Sequence, residues 1–168
     1  MFEEFNKYNE ALLKRDFEDT LSFKRACNFV EEAALHDNRL SKDVLKTYDK
    51  LLKYDLPEEV NNAICYNLGE MLSFQPELKN DVKNIVIKHQ PKIDAFLQNN
   101  STPYNEELAG LSEEVTKDRE QRDVLIHQGM EKIKNKKLHY AKAPEKQEPL
   151  TSTLTPILTG SMNNKLSR

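Results

Sequence analysis

A chain of 168 residues has room for one domain with an appendage, and 38% hydrophobic against 32% charged residues leaves part of it as solvated helix or tail. Its 25 basic and 28 acidic residues balance to a net charge of -3, which excludes a general electrostatic drive toward nucleic acid or anionic membrane. Four glycines, no tryptophan and no Asn-Gly, Asp-Gly or Gly-Gly dipeptide leave little with which to close tight hairpins, so the expected class is all-α.

A first helix is predicted over residues 3–15, with Phe2, Phe5, Tyr8 and Leu12 spaced by three or four along one stripe. A second covers 19–36 through Phe23, Ala26, Cys27, Val30, Ala33 and Ala34. The third opens on Ser41 as N-cap, with Leu40 placed to pack on Leu45. Val44, Tyr48, Leu51 and Leu52 carry it to about residue 54. Asp55-Leu56-Pro57-Glu58 combines a capping residue, an early proline and a following acid. It starts a fourth helix bearing Val60, Ala63, Ile64, Leu68, Met71 and Leu72. Pro76 opens a fifth (Leu78, Val82, Ile85, Val86, His89), and Pro91 a short sixth (Ile93, Phe96, Leu97).

Residues 98–103 read as a linker. From 104 to 140 the pattern is a charged helical arm, with Leu108, Leu111 and Val115 on one face and Ile126, Met130 and Ile133 as a second apolar stretch. The stretch 116–123 between them has no apolar residue, which predicts that the helix projects or breaks there. Residues 141–168, with Pro144, Pro149 and Pro156 among Ser, Thr and Asn, are expected as a flexible tail. Leu150, Leu154, Ile157 and Leu158 are its apolar spot. Three parts are therefore expected: a core over 1–100, the arm and the tail.

The second and third helices resemble the fourth and fifth. Arg25-Ala26-Cys27-Asn28-Phe29 aligns with Asn62-Ala63-Ile64-Cys65-Tyr66, and Leu35 with Leu72, 37 positions on. After a one-residue slip, Leu40-Ser41-Lys42-Asp43-Val44 aligns with Leu78-Lys79-Asn80-Asp81-Val82. Helix pairs recurring at about 40 residues are the pattern of a solenoid, and over residues 23–97 the chain resembles the HEAT/armadillo class of helical repeats. The alternative is an irregular helical bundle with hairpins of similar length.

The resemblance implies a scaffold binding peptides or proteins along the second helix of each pair, residues 42–54 and 77–89. Their faces away from the core carry Lys46, Lys50, Lys53, Lys83 and Lys88 beside Asp43, Asp49 and Asp81. That mixture suits a protein partner better than a phosphate backbone, and it is also the composition of an ordinary solvated helix face. In the arm, Lys132, Lys134, Lys136 and Lys137 run up to Tyr140. They can complement the helix dipole, contact an acidic partner, or meet phosphates with Tyr140 stacking.

Residues that carry chemistry are sparse. There is no CxxC, HExxH or EF-hand loop, and the histidines are scattered at 36, 89, 127 and 139. Glu32 with His36 and Asp123 with His127 each supply two groups at i, i+4, where a tetrahedral site needs three or four. No metal and no cofactor is expected. The pairs Glu31-Glu32, Glu58-Glu59, Glu106-Glu107 and Glu113-Glu114 lack the Glu-x-x-His partners of a di-iron bundle. Neither a GxSxG elbow, a P-loop nor GxGxxG occurs. Cys27 and Cys65 lie on stripes rich in Ala and Leu, where burial makes a thiol unreactive.

The expectation is a non-enzymatic interaction module binding another protein. The alternatives are a nucleic-acid-associated regulator using Lys132–Lys137 and a coiled-coil dimer through the arm. An acidic N-terminus, Met1-Phe2-Glu3-Glu4, and the lack of an apolar run near 20 residues fit a cytoplasmic protein. The Ser/Thr-rich C-terminus with Glu145, Glu148 and scattered leucines is similar to the export signals of bacterial type IV effectors. That resemblance implies translocation into a host cell.

Overall fold

The computed structural model describes residues 1–100 and 102–142, with side chains as far as Lys136; the tail expected beyond 142, with its effector-like features, lies outside the described residues. Among the described residues six helices follow one another: α1 (Phe2–Lys14), α2 (Thr20–His36), α3 (Ser41–Leu51), α4 (Glu58–Phe74), α5 (Lys79–Asn99) and α6 (Asn105–Lys142). Single 3-10 turns, Asn38–Leu40 and Pro76–Leu78, lead into α3 and α5. No strand occurs among the described residues, and no described helix is long and apolar enough to cross a membrane. The chain is all-α.

The chain divides into two units, Met1–Arg119 and a second that begins at Glu120 and is described as far as Lys142. In the first, α2 packs on α4, α1 on both α2 and α3, and α5 on α3 and α4. The apolar stripes read from the sequence meet in one core that includes Leu12, Val30, Val44, Ile64, Leu68, Met71 and Ile93, all fully buried. The boundary expected near residue 100 falls inside this unit. Leu108, Leu111 and Val115, spaced to share one face of α6, join the same core. The unit ends within the apolar-free stretch 116–123, where α6 has nothing left to bury. In the second unit, residues 120–142 are helical, and Val124, Leu125, Ile126, Met130 and Ile133 are exposed.

Local chemistry sets the element ends. Asp19 caps α2 by accepting from the Ser22 N–H at 2.7 Å. Ser41 does not cap α3 as expected. The Asn38–Leu40 turn already occupies that corner, and Ser41 instead turns inward to donate to Gln75 Oε1 at 2.5 Å. Gln75 in turn donates to the Ala34 carbonyl at 2.9 Å, which is left open in the last turn of α2. Asp55 makes no cap either, because α4 begins on Pro57 and Glu58. Pro91 opens no new helix. It lies within α5, and the backbone leaves helical geometry at His89 (φ -126°, ψ 26°), the kink expected where a proline lacks an N–H and its ring crowds the preceding turn.

The bounds of the two hairpins repeat at one spacing. Thr20, His36, Asn38 and Ser41 are answered by Glu58, Phe74, Pro76 and Lys79, each 38 positions on. In that register Cys27 answers Cys65, Val30 answers Leu68 and Val44 answers Val82, all fully buried. The 37-residue alignment drawn for the first helix of each pair is therefore one position off the helix bounds. Matching on Ala26 and Ala63 obscured the correspondence of the two cysteines.

Candidate functional site

Helix α3 is tied to the rest of the first unit by polar side chains. Three consecutive residues tie it to four neighbours. Thr47 donates to Asn9 Oδ1 of α1 at 2.6 Å. The fully buried Tyr48 donates to the Cys27 carbonyl of α2 at 2.7 Å and accepts from Asn67 Nδ2 of α4 at 3.0 Å. Asp49 meets His89 Nε2 at 2.8 Å and accepts from Lys88 Nζ at 3.0 Å, both on α5. Beyond the end of α3, Lys92 Nζ donates to the Leu52 and Tyr54 carbonyls at 2.5 and 2.7 Å. Burial pushes the Asp49 carboxyl up, but hydrogen bonds from His89 and Lys88, with their charges, outweigh it and hold the group below its ordinary value.

Lysines project around this fixed segment. Lys46, Lys50 and Lys53 are exposed at i, i+4 and i+7, and none of them makes an ion pair among the described residues. A shallow cleft lies on each side of α3. Toward α1, a trough of about 260 Å³ is lined by Asn9, Leu13 and Thr47, by the three lysines, and by Asp43 and Asp49. Toward α5, a smaller one of about 160 Å³ lies among Leu45, Ile85, Asn84 and Asp81.

The α5 side is already neutralised, since Lys42 lies 3.9 Å from Asp81 and Lys88 holds Asp49. At the ends of α1 and α3, the Arg15 guanidinium lies over the Tyr54 ring, 3.7 Å from its centroid. Arg15 itself takes the left-handed conformation (φ 55°) that closes α1.

Of the residues singled out in the sequence, Lys46, Asp49 and Lys50 come together on this helix, Lys53 lies in the turn just past its end, and Lys88 joins them through Asp49. Lys83 does not. It is half-buried between Glu114 Oε1 at 2.7 Å and Asp118 Oδ2 at 3.0 Å, a clamp from α5 to α6. That partnership raises the Lys83 pKa and lowers that of Glu114. Lys132, Lys134 and Lys136 are exposed in the second unit. The side chains of Lys137 and Tyr140 lie outside the described residues.

What the sequence reading missed is the polar scaffolding beneath the lysines. Asn67 and Gln90 are buried on helices otherwise read for their apolar stripes, and Gln75 is buried at the C-terminal end of α4. Gln90 Nε2 donates to the Ser112 carbonyl at 3.1 Å and to Thr116 Oγ1 at 2.8 Å, fastening α6 beside the kink of α5. The asparagines of α4 were the available signal, since Asn is poorly suited to a helix interior unless its amide has work there. Because Tyr48 satisfies two buried groups at once, Tyr48→Phe is expected to lower the unfolding free energy by about 1–2 kcal/mol. Urea denaturation reads it, and an unchanged midpoint would show the hydroxyl to be idle.

The cysteines are free and buried. Burial pushes both thiols up to about 12, so neither supplies thiolate near neutrality. Iodoacetamide at pH 7.5 is expected to leave both unmodified in the folded chain and to alkylate both in denaturant, as read by intact mass. Among the described residues no three His, Cys, Asp or Glu side chains converge in a way that could hold a metal ion. Comparisons with protein-family models, curated proteins and solved structures give no match.

Proposed function

We propose that this chain is a non-enzymatic interaction module of helical-repeat type that binds another protein along α3. The observation that carries the reading is the combination on that helix. Its interior face is fixed by side-chain bonds to α1, α2, α4 and α5, while Lys46, Lys50 and Lys53 stand exposed between two clefts. A binding surface on a rigid helix spends little ordering entropy on association. The 38-residue recurrence of the two hairpins supports the repeat reading, in which the second helix of each pair carries the partner-facing side.

Photo-crosslinking tests it. With a photoreactive residue at position 46 or 50, irradiation in extract of the source cells is expected to give a discrete protein adduct. A matched probe at exposed Asn38, on the turn before α3, is expected to give none. Equal labelling from both positions, or none from α3, would overturn the proposal.

A second reading rests on Val124, Leu125, Ile126, Met130 and Ile133, whose exposure of 54–66% leaves an apolar stretch on the helix of the second unit. Pairing of that segment with a second copy would cover it. Sedimentation equilibrium decides the matter, since a monomer at high concentration removes this reading.

A further inference from the structure

The charge left on α3 says more about the partner, granting the interaction reading above. Four lysines of the first unit have carboxylates supplied by the fold: Lys42 by Asp81, Lys79 by Glu114, Lys83 by Glu114 and Asp118, and Lys88 by Asp49. Lys46, Lys50 and Lys53 are treated differently. They line the α1 trough, and the acids nearest in the sequence do not serve them. Asp49 is taken by Lys88 and His89, and Asp43 stands in the first turn of α3, where its charge favours the helix dipole.

Below the lysines, Asn9 accepts from Thr47 through its oxygen. Its amide nitrogen makes no hydrogen bond among the described residues, and the residue is half-buried on the trough wall. Leu13, 37% exposed, supplies an apolar contact. The trough thus offers amide and ammonium donors over a small apolar floor. Of the two aspartates that also line it, Asp49 is held by Lys88 and His89, which leaves three ammonium groups against the one carboxylate of Asp43.

We infer that the α1–α3 trough receives an acidic helical segment of the partner protein, with carboxylates at i, i+4 and i+7 meeting Lys46, Lys50 and Lys53 and one apolar side chain resting on Leu13. Spacing favours a helix as the occupant, because Lys46 and Lys50 stand one turn apart on α3, Lys53 follows in the turn just past its end, and a partner helix repeats its own face at the same pitch. Charge complementarity of this kind selects the partner and steers its approach more than it adds affinity, so binding weakens steeply with salt.

The test is fluorescence anisotropy at low salt with the full chain and a labelled helical peptide bearing glutamates at i, i+4 and i+7 around one leucine. A peptide of the same composition in scrambled order is the comparison. Tighter binding of the ordered peptide is expected, weakened about tenfold or more by Lys46→Glu, Lys50→Glu and Lys53→Glu together. The Lys→Gln triple adds no negative charge and should lose less. Circular dichroism melts confirm that both variants fold, and Lys132→Glu, Lys134→Glu and Lys136→Glu together should leave binding unchanged. Equal binding of the scrambled peptide, or indifference to the α3 substitutions, would overturn the inference. So would tighter binding of a single-stranded oligonucleotide through the same lysines, which would assign the trough to phosphates. If the peptide result fails while crosslinks from positions 46 and 50 persist, only the partner's chemistry is wrong. If those crosslinks are absent as well, the interaction reading falls with it.

Discussion

Replacing Gly69 by alanine is expected to destabilise the chain by about 2–3 kcal/mol, although the same change elsewhere in a helix stabilises it. A Cβ built at Gly69 meets the Tyr104 carbonyl oxygen at 2.8 Å and the Leu108 Cβ at 3.8 Å. The first of these is backbone, so the clash is relieved only by lifting the start of α6 off α4. That movement uncovers Leu108 and Leu111, which are buried at 0% and 3%. Gly110 is the control. Nothing lies within 4 Å of its added Cβ, so Gly110→Ala should stabilise by about 0.5–1 kcal/mol through helix propensity alone. Urea denaturation of the two variants reads opposite signs if Gly69 is a contact point between α4 and the segment before α6. Equal signs would mean that α6 can shift without loss.

Glu31→Gln is expected to stabilise the chain at neutral pH by about 2 kcal/mol. Glu31 is 5% exposed, one of its oxygens has no partner among the described residues, and it faces Glu70 across the α2–α4 contact. Burial, then a shared hydrogen bond with Glu70, then the charges of Glu70 and Glu32 push its carboxyl up to about 8 from an ordinary 4.5. The folded state therefore holds a proton that the unfolded chain releases. Below about pH 4.5 both states are protonated and Glu31 costs nothing by ionisation. As pH rises toward 8 the unfolded chain gains by ionising while the folded one cannot, so stability falls across that window.

Glutamine keeps the donor to Glu70 and does not titrate. The variant should match the wild type near pH 4.5 and pull ahead as pH rises. The full shift would correspond to a larger figure, but water reaching the half-exposed Glu70 screens the pair. Denaturation midpoints from pH 4.5 to 8.5 test this, and parallel curves for the two proteins would show that Glu31 is ionised in the fold.

Much of the architecture was legible because apolar spacing is a direct readout of which face is buried. Phe5 and Leu12, Val44 and Tyr48, Ile64 and Leu68 all fell where the 3.6-residue period put them. The less legible parts depend on contacts distant in sequence. Ser41 has the right identity and position for a cap, yet its hydroxyl is claimed by Gln75, 34 residues away. Glu31 reads as half of an ordinary Glu-Glu pair, and only the arrival of α4 makes it a buried acid.

The site divides in the same way. Lys46, Lys50 and Lys53 were identifiable as an exposed row. Nothing local distinguishes them from Lys83, whose neutralising partners Glu114 and Asp118 lie more than 30 residues on. Leu13 and Asn9 belong to the trough because Thr47 brings α1 beside α3, a relation that periodicity does not encode.

The binding of Thr47, Tyr48 and Asp49 to four different helices also has a kinetic consequence. At 11 residues, α3 is too short to persist alone in water, and opening it locally would require breaking bonds to α1, α2, α4 and α5 together. Its central amide hydrogens should then exchange with deuterium only when the whole unit unfolds, the slowest class in the chain. The first turn of α1, with no side-chain cap and Phe2 63% exposed, should exchange by fraying. Mass-resolved exchange would thus make the shortest α-helix among the described residues the slowest clock there, and Lys46 and Lys50, proposed to meet a partner, stand on the segment that yields last.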